Sequence, residues 1–436
     1  MAIWSANPGA DKFNPRLHEI CFKTNLDYDN ALLPYDIVGL KAHGRMLAQC
    51  GLIPKDDGAK IDVELAKMLD QARAGQLKMS PEWEDCHSLI ESTLIERIGD
   101  AGKRLYMARS RNDQVVSATR LYTLDRLAGL EELYLALCQE LLEFAQRHAS
   151  VPMPGYTHTQ RAMPATAGMW AAAYLEILLA QAPILRNARS LSSVNALGTA
   201  AGYGTAFPID RDAVTRELGV ERTLVVSLAA QISRGQVEAQ TLHALWGIML
   251  VINRISTDLV WLTSAEFDFF DVAKSCTTGS SIMPNKKNLD PCEILRARYH
   301  IFCGYQRQVE GAISSLLYGY NSDYQETKGP FLEGMRLCAE SIEAIGIVLA
   351  HTAPKEAKMR AALSPDIFAT DLTNRYVMEG ATFRDAYIQV KKALETVEAE
   401  DPAANIRSKT HLGAPGNIGV EVLAKRLDEA KKLLKG

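Results

Sequence analysis

The sequence lacks the paired cysteine and histidine motifs that hold disulfides and metal ions. Its eight cysteines stand at 21, 50, 86, 138, 276, 292, 303 and 338, without a C-x-x-C unit. Its nine histidines form no H-E-x-x-H or H-x-H pattern. Irregular cysteine spacing favours free thiols in a reducing compartment, and a metal site has no support from the sequence.

Neither sign of charge dominates, with 48 Lys+Arg against 52 Asp+Glu and a net charge of −4. Because no long basic run is present, we do not expect a nucleic acid or an anionic membrane as the partner. We expect a small molecule instead. Residues 1–8 do not resemble a secretory signal. The apolar runs 162–175 and 239–253 are predicted to be buried helices too short to span a bilayer.

Alternating extended runs are scarce, and helical periodicity prevails. Apolar residues within 123–149 recur at steps of three and four, which predicts one face of a long helix. Ser80 before Pro81 predicts a helix start, with an end near Gly99. Long apolar helices are also expected at 165–190, 236–266 and 331–351, so the predicted fold is an all-α, elongated helical bundle.

Turn-rich segments at 109–114, 151–160, 198–210 and 274–291 interrupt these helices. We expect an N-terminal helical domain at 1–108, a central long-helix bundle at 109–352 and a small C-terminal helical domain at 353–436. Broad apolar helix faces predict a homo-oligomer. Loops carry function more often than core helices do, so the interrupting segments are the candidates for a site.

The segment 276–288 is the most distinctive of these. Gly279 lets the backbone approach a ligand, neighbouring amides can donate to an anion, and Lys286 adds a full positive charge. Asp290 and Glu293 then have the form of a helix N-cap and a capping-box acid. Such a segment suits a developing oxyanion, although its composition is equally typical of a solvated surface loop.

A family resemblance decides between these interpretations. The string G-S-S-I-M-P-N-K-K-N at 279–288 resembles the signature of the fumarase/aspartase superfamily, whose members eliminate across a C–N or C–O bond and release fumarate. Segments 84–87, 108–114, 154–162, 320–328 and 363–372 resemble the argininosuccinate lyase branch. The resemblance implies a fumarase/aspartase-like fold, a homotetramer with each site built from three subunits, and no cofactor or metal.

The implied reaction removes a proton from the carbon next to a carboxylate, so it needs a base and several donors for the resulting anion. By resemblance, Ser280 is the base, while Lys286, Asn288 and the amides of residues 279–281 hold the anion. His158, paired with Glu293, is implied to protonate the departing nitrogen. A hydroxyl bonded to its own backbone is the alternative for Ser280, and a capping role is the alternative for Glu293.

The resemblance also implies substrate-binding residues. The residues implied to bind the substrate carboxylate are Ser110, Arg111, Asn112 and Thr157. The residues implied to contact the arginine portion are Tyr320, Gln325 and Lys328.

Each of these residues has a plainer alternative. Arg111 instead belongs to a salt-bridged helix start with Asp113, and Thr157 merely caps. We expect Lys286 to be buried and Lys287 solvated. His87 is predicted to form an ordinary same-face helix pair with a residue four positions later.

The activity implied is reversible cleavage of argininosuccinate to L-arginine and fumarate, a step of arginine biosynthesis, in the cytoplasm. One alternative is another fumarate-releasing C–N lyase that acts on adenylosuccinate, aspartate or an N-substituted aspartate. A second alternative is a non-catalytic, crystallin-like structural protein. Met107, Gly39 and Gly235 depart from the branch's usual residues and bear on the choice of substrate.

Overall fold

A computed structural model describes Arg16, Leu17, Ile20 and residues 26–80 and 83–435. The expectations for residues 1–8 and for Cys21 lie outside these described residues. Helices account for most of the described chain, which confirms the predicted all-α fold class. The seven cysteines within the described ranges are all free thiols, as their spacing predicts.

The first helices are α1 (Leu26–Gln49), α2 (Lys55–Arg73), α3 (Cys86–Ile98) and α4 (Asp100–Arg104). The predicted helix start at Ser80 is wrong, because the side chain of Asp85 accepts the Ser88 amide at 2.8 Å and caps α3 there. The predicted end is confirmed, since Gly99 follows α3 with a φ of 60°. Apolar side chains that form the core between these helices include Leu33, Ile37, Leu40, Leu65 and Leu94.

The middle of the chain contains further helices, several of which lie where the apolar patterns predict them. The helix predicted within 123–149 is confirmed as part of α5 (Arg111–Arg147), which begins at the 109–114 turn. The stretch 165–190 divides into α6 (Ala167–Leu179) and α7 (Ala182–Ser192). Beyond these lie α8 (Arg211–Leu218), α9 (Ala229–Ile232), α10 (Gln236–Leu262), α11 (Asp290–Ala312) and α12 (Lys328–Ala350).

Short strands replace some of the predicted turns. The segment 151–160 is mostly an antiparallel hairpin of β1 (Pro152–Thr157) and β2 (Gln160–Thr166), with an irregularity between Gly155 and Tyr156. Three further two-stranded pairs are β3 (Val194–Asn195) with β4 (Arg222–Thr223), β5 (Phe270–Val272) with β8 (Thr352–Pro354), and β6 (Thr278–Gly279) with β7 (Lys287–Asn288).

The C-terminal part contains α13 (Glu356–Ala361), α14 (Ala369–Met378), α15 (Phe383–Lys392), α16 (Pro402–Ser408) and α17 (Val420–Lys435). Short 3-10 helices in the described part of the chain lie at Lys274–Cys276, Ser322–Thr327, Pro365–Phe368 and Leu394–Thr396.

The described residues fall into two compact units. The first comprises Met1–Gly129, Leu185–Leu245 and Cys303–Arg336, and the second comprises Leu130–Ile184, Trp246–Phe302 and Leu337–Gly436. Both draw on sections of the long helices. The predicted division at 108 and 352 stays a prediction.

Two helical stretches, Ala167–Ser192 and Ala229–Leu262, are long and apolar enough to cross a membrane by length and composition alone. The apolar runs judged too short therefore lie within longer helical stretches. Core helices of soluble proteins have the same length and composition, and 44% of the most apolar window of each stretch is buried within this chain.

Candidate active site

The signature segment folds as a short hairpin with a projecting loop. Thr278 pairs with Asn288 and Gly279 with Lys287, so β6 and β7 close the base of the loop. The Thr278 hydroxyl donates to the Asp290 carboxylate, which ties this base to the first residue of α11. The helix begins at Asp290 itself, so Asp290 is the first helical residue and not the N-cap residue that was predicted. The loop between the strands is largely solvent-exposed.

Ser280 stands where the loop leaves β6, and its hydroxyl oxygen accepts two backbone amides. The Ile282 N–H donates at 3.2 Å and the Met283 N–H at 3.0 Å. This is the local turn geometry of the plainer alternative. The same two donors would also stabilise an alkoxide at that oxygen, because hydrogen bonds to the charged form of a group favour ionisation.

Both lysines of the segment are exposed in this chain. Lys286 was predicted to be buried, so its placement differs from the prediction. Lys287 is solvated as predicted, and it also forms an ion pair with Asp271 at 2.9 Å and donates to the Val272 carbonyl. Lys287 thus fastens β7 to β5, because its position in the hairpin turns the side chain toward that strand.

His158 occupies the tip of the β1–β2 hairpin. Both tip residues are left-handed, with a φ of 53° at His158 and 60° at Thr159. Two successive left-handed residues are what a tight two-residue hairpin turn requires. The His158 side chain is exposed as a result, and so is that of Thr157 at the end of β1.

Glu293 lies in the first turn of α11 and is also exposed. Within the described parts of the chain, no hydrogen bond or ion pair joins Glu293 to His158. Their predicted pairing stays a prediction.

The turn before α5 holds three of the predicted carboxylate ligands. The Ser110 amide donates to Asp113 at 2.9 Å, and the Ser110 hydroxyl accepts the Asn112 amide at 3.3 Å. The Arg111 guanidinium lies 3.1 Å from both Glu84 and Asp85. The salt-bridged helix start is therefore present, with acids of the α3 cap in the place expected for Asp113.

A buried polar chain runs from this turn to α1. Arg109 donates to the Gln114 side-chain oxygen, and the Gln114 amide group donates to Asp36 at 3.1 Å. Asp36 lies 2.6 Å from His87 Nδ1, so the predicted helix pair of His87 is wrong and its partner is an acid on α1. Burial works to lower the pKa of His87, yet the charge and hydrogen bond of Asp36 outweigh it and raise that pKa.

Asp36, Cys86 and His87 are also the group among the described residues with donor atoms close enough to hold a metal ion, all within 4.8 Å. The Asp36 to His87 distance of 2.6 Å is that of a hydrogen bond. It is shorter than the roughly 3.3 Å that separates two ligands bound about 2 Å from a tetrahedral ion. Burial also raises the pKa of the Cys86 thiol, which disfavours the thiolate that a metal needs. The geometry is accounted for without a metal.

Tyr320, one of the residues predicted to contact the arginine portion, packs against a buried arginine. The Gln325 amide group donates to the Tyr320 hydroxyl at 3.1 Å. The Arg234 guanidinium lies 5.4 Å from the ring centroids of both Tyr320 and Tyr324. Cation–π contact holds the Tyr320 ring in place, so Tyr320 and Gln325 form one preorganised polar pair.

Lys328 opens α12 and is buried. Its Nζ lies 2.6 Å from Asp29 on α1, and the two side chains are 7% and 3% exposed. This pair brings α12 and α1 together, and it leaves two of the three N–H donors of Lys328 for other partners.

Sequence reasoning missed two acids of α1, which bond to the side chains of His87, Gln114 and Lys328. Asp29 and Asp36 are seven residues apart and thus share a helix face, which otherwise carries buried leucine and isoleucine. Two acids on the apolar face of a helix are a signal that could have been found, since buried acids are rare without a partner.

Comparison with known proteins identifies related sequences. A model of the lyase family matches residues 14–300. An argininosuccinate lyase of Sorangium cellulosum is 41% identical over 400 residues, covering 92% of this chain and 93% of its own. One from Xanthomonas campestris pv. campestris (strain B100) is 37% identical over 399 residues, covering 91% of this chain and 92% of its own.

Solved structures share the fold. An EDDS lyase in complex with formate has a TM-score of 0.80 at 22% identity, covering 97% of this chain and 90% of its own. A fumarate lyase:delta crystallin from Brucella melitensis bound to cobalt has a TM-score of 0.74 at 19% identity, covering 94% and 92%. The fold and the sequence relatives agree: the chain is a carbon–nitrogen lyase and belongs to the argininosuccinate lyase family.

Proposed function

We propose that this enzyme cleaves argininosuccinate reversibly to L-arginine and fumarate, within arginine biosynthesis in the cytoplasm. The observation that carries the proposal is 41% identity to an argininosuccinate lyase over 92% of the chain. Motifs at 108–114, 154–162, 279–288 and 320–328 support it, because they contain the groups that this elimination needs. Membership of the family is consistent with a soluble protein.

Ser280 removes the proton from the carbon next to the substrate carboxylate. The Ile282 and Met283 amides that donate to its oxygen support this role, because they favour the alkoxide form. The electron pair left on carbon moves into the carboxylate. Lys286 and Asn288 stabilise that developing charge as preorganised donors.

His158, oriented by Glu293, donates a proton to the departing nitrogen as the C–N bond breaks. An exposed hairpin tip suits this role, because it can reach a substrate held on a neighbouring subunit. Thr157, next to it, binds a carboxylate of the succinyl portion.

The remaining predicted residues bind and orient. Ser110, Arg111 and Asn112 hold carboxylate oxygens, and Arg111 shares its donors with the acids of the α3 cap. Tyr320 and Gln325 receive the arginine portion, since their mutual hydrogen bond of 3.1 Å presents both as one fixed group. Lys328 contributes a donor while Asp29 balances its charge.

We further propose a homotetramer in which each site takes residues from three subunits. Large apolar side chains lie exposed on the long helices, and burying them against other copies would remove this apolar surface from water. They are Ile177, Ile184, Trp261, Ile294, Ile301 and Ile347. No cofactor takes part, because side chains alone handle the carboxylate and the leaving group.

The assembly is tested by sedimentation and by mixing two inactive variants. Ser280→Ala and His158→Asn subunits, denatured and refolded together, should regain fumarate formation if one site takes these residues from different subunits. A stable monomer at micromolar concentration would contradict the tetramer, and mixtures without activity would contradict the shared site.

Activity is tested by adding argininosuccinate to the purified protein and following fumarate absorbance. A panel of adenylosuccinate, aspartate and N-substituted aspartates is run beside it. We expect argininosuccinate to give the highest kcat/KM. A higher kcat/KM for another compound of the panel would mean that this compound, and not argininosuccinate, is the substrate. If none of the compounds yields fumarate, the result would support a structural protein on the same fold.

A further inference from the structure

Asp113 carries no role in the reaction as described, yet its side chain is completely buried in the first turn of α5. One carboxylate oxygen accepts the Ser110 amide at 2.9 Å. The other accepts the amides of Gly198 at 3.0 Å and Ala200 at 2.8 Å. The side chain therefore joins the Ser110–Asn112 turn to a loop 85 residues further along the chain.

The loop that meets Asp113 has an unusual backbone. Left-handed φ values of 82°, 51°, 100° and 75° occur at Gly198, Ala200, Gly202 and Gly204, every second residue. Left-handed residues at alternate positions let the amides of Gly198 and Ala200 turn toward the same side and form an anion site, while the Thr199 amide between them donates to the Ala196 carbonyl. Ala200 adopts this conformation at a cost in free energy, because its Cβ is crowded there. The anion in this site is the carboxylate of Asp113.

Burying a carboxylate at this position costs desolvation free energy. Burial raises the pKa of Asp113 to about 7, although the three amides act in the opposite direction. An apolar residue would avoid the desolvation cost but would leave three amides without an acceptor. An asparagine would offer only one accepting oxygen and would turn an NH₂ group toward an amide donor.

We propose that Asp113 is a positioning residue, whose carboxylate fills the amide site of residues 198–200 and thereby holds Ser110 and Asn112 in the conformation that binds the substrate carboxylate. This inference rests on the proposed function of that turn. Asp113 itself does not touch substrate.

The test is chemical rescue of Asp113→Ala. Alanine keeps Cβ, so the group removed is a carboxylate, and formate is the probe that matches it. We expect Asp113→Ala to raise KM for argininosuccinate at least tenfold with a smaller change in kcat. Formate at tens of millimolar should restore most of the loss, relative to its effect on the wild-type enzyme. Acetate should restore less, because its methyl group must share the space of Cβ.

A second measurement does not depend on turnover. Formate should raise the Tm of Asp113→Ala more than that of the wild type, and Glu132→Ala, an exposed change on the same helix, should respond as the wild type does. If Asp113→Ala does not fold, Asp113→Asn serves instead, with an expected rise in KM and no response to formate.

Two results would overturn the inference: an unchanged KM in Asp113→Ala or Asp113→Asn, or a formate response of the Tm of Asp113→Ala no larger than that of the wild type. Failure of the proposed function is a different result, in which the wild type itself does not cleave argininosuccinate. The formate arm still decides the amide site in that case, and fumarate affinity measured by calorimetry replaces KM.

Discussion

The turn before α5 and the signature loop carry equally distinctive motifs but are built in opposite ways. In the turn, the side chains of Arg109, Asp113 and Gln114 are buried, and Asp113 and Gln114 have partners far along the same chain, at Gly198 and Asp36. In the loop, Ile282 is 85% exposed, and among the described residues the hydroxyl of Ser280 bonds only to amides two and three residues away.

The turn and the loop therefore differ in whether their polar groups are already bonded before a substrate binds. A buried polar group must be satisfied within the chain, so the turn is fixed before any substrate arrives. Exposed groups can be satisfied by water, so the loop and the His158 hairpin keep their donors for a substrate or for another subunit. Function should therefore be most sensitive to change in the loop, and stability most sensitive to change around the turn.

The largest effect is expected at the base. Ser280→Ala should lower kcat at least about a thousandfold, because the group that accepts the proton is lost. Circular dichroism and sedimentation should match the wild type, since the side chain is surrounded only by its own loop. Ser281→Ala, one residue away and exposed, is the control and should stay within about tenfold. A Ser280→Ala enzyme as active as this control would refute the assignment.

The next largest effect concerns stability in the buried part of the molecule. Lys328→Met should lower the free energy of unfolding by about 3–5 kcal/mol, because it leaves the Asp29 carboxylate buried without its partner. Denaturant titration measures this. Adding Asp29→Asn to Lys328→Met should recover part of the loss. A double variant less stable than Lys328→Met would show that the charge of Asp29 is compensated by another group.

A third effect is a dependence of stability on pH from His43. Burial lowers the pKa of this histidine to about 4. Its Nε2 lies 2.8 Å from the Met107 carbonyl, and its Nδ1 has no hydrogen-bond partner within the described part of the chain. The unfolded chain takes up the proton near pH 6.5, before the folded chain does. Stability is therefore present above pH 6.5 and is lost as the pH falls toward 4, by at most about 3 kcal/mol.

Denaturant titration at a series of pH values measures this loss. His43→Leu should flatten the curve between pH 6.5 and 4, while His300→Ala, which removes an exposed histidine, should not. Equal slopes in the wild type and in His43→Leu would contradict the effect.

The smallest effect is expected from the exposed ion pair at the base of the loop. Lys287→Met should cost less than about 1 kcal/mol of stability, because Lys287 and Asp271 are both well solvated. Lys286→Met should instead lower kcat strongly with no loss of stability. The two neighbouring lysines thus test, within one hairpin, whether the exposed loop contributes to activity more than to stability. A larger loss of kcat in Lys287→Met than in Lys286→Met would reverse their roles.

The sequence by itself determined the helical fold, since the spacing of apolar residues reports which face of each helix is buried. It also determined where the motifs lie and the reaction class that they resemble. The end of α3 at Gly99 was predictable, because glycine readily adopts the left-handed conformation that ends a helix. The start of α3 was not, since Ser80 and Asp85 are both good caps and local preference does not rank them.

Only the tertiary structure decided the partners of the buried charged groups. His87 and Asp36 are 51 residues apart, Asp113 and Gly198 are 85 apart, and Lys328 and Asp29 are 299 apart. Periodicity shows that such a side chain points inward, but which side chain meets it depends on how the helices pack. Burial makes these pairs necessary, because a charge removed from water needs a partner, and packing determines which partner it finds.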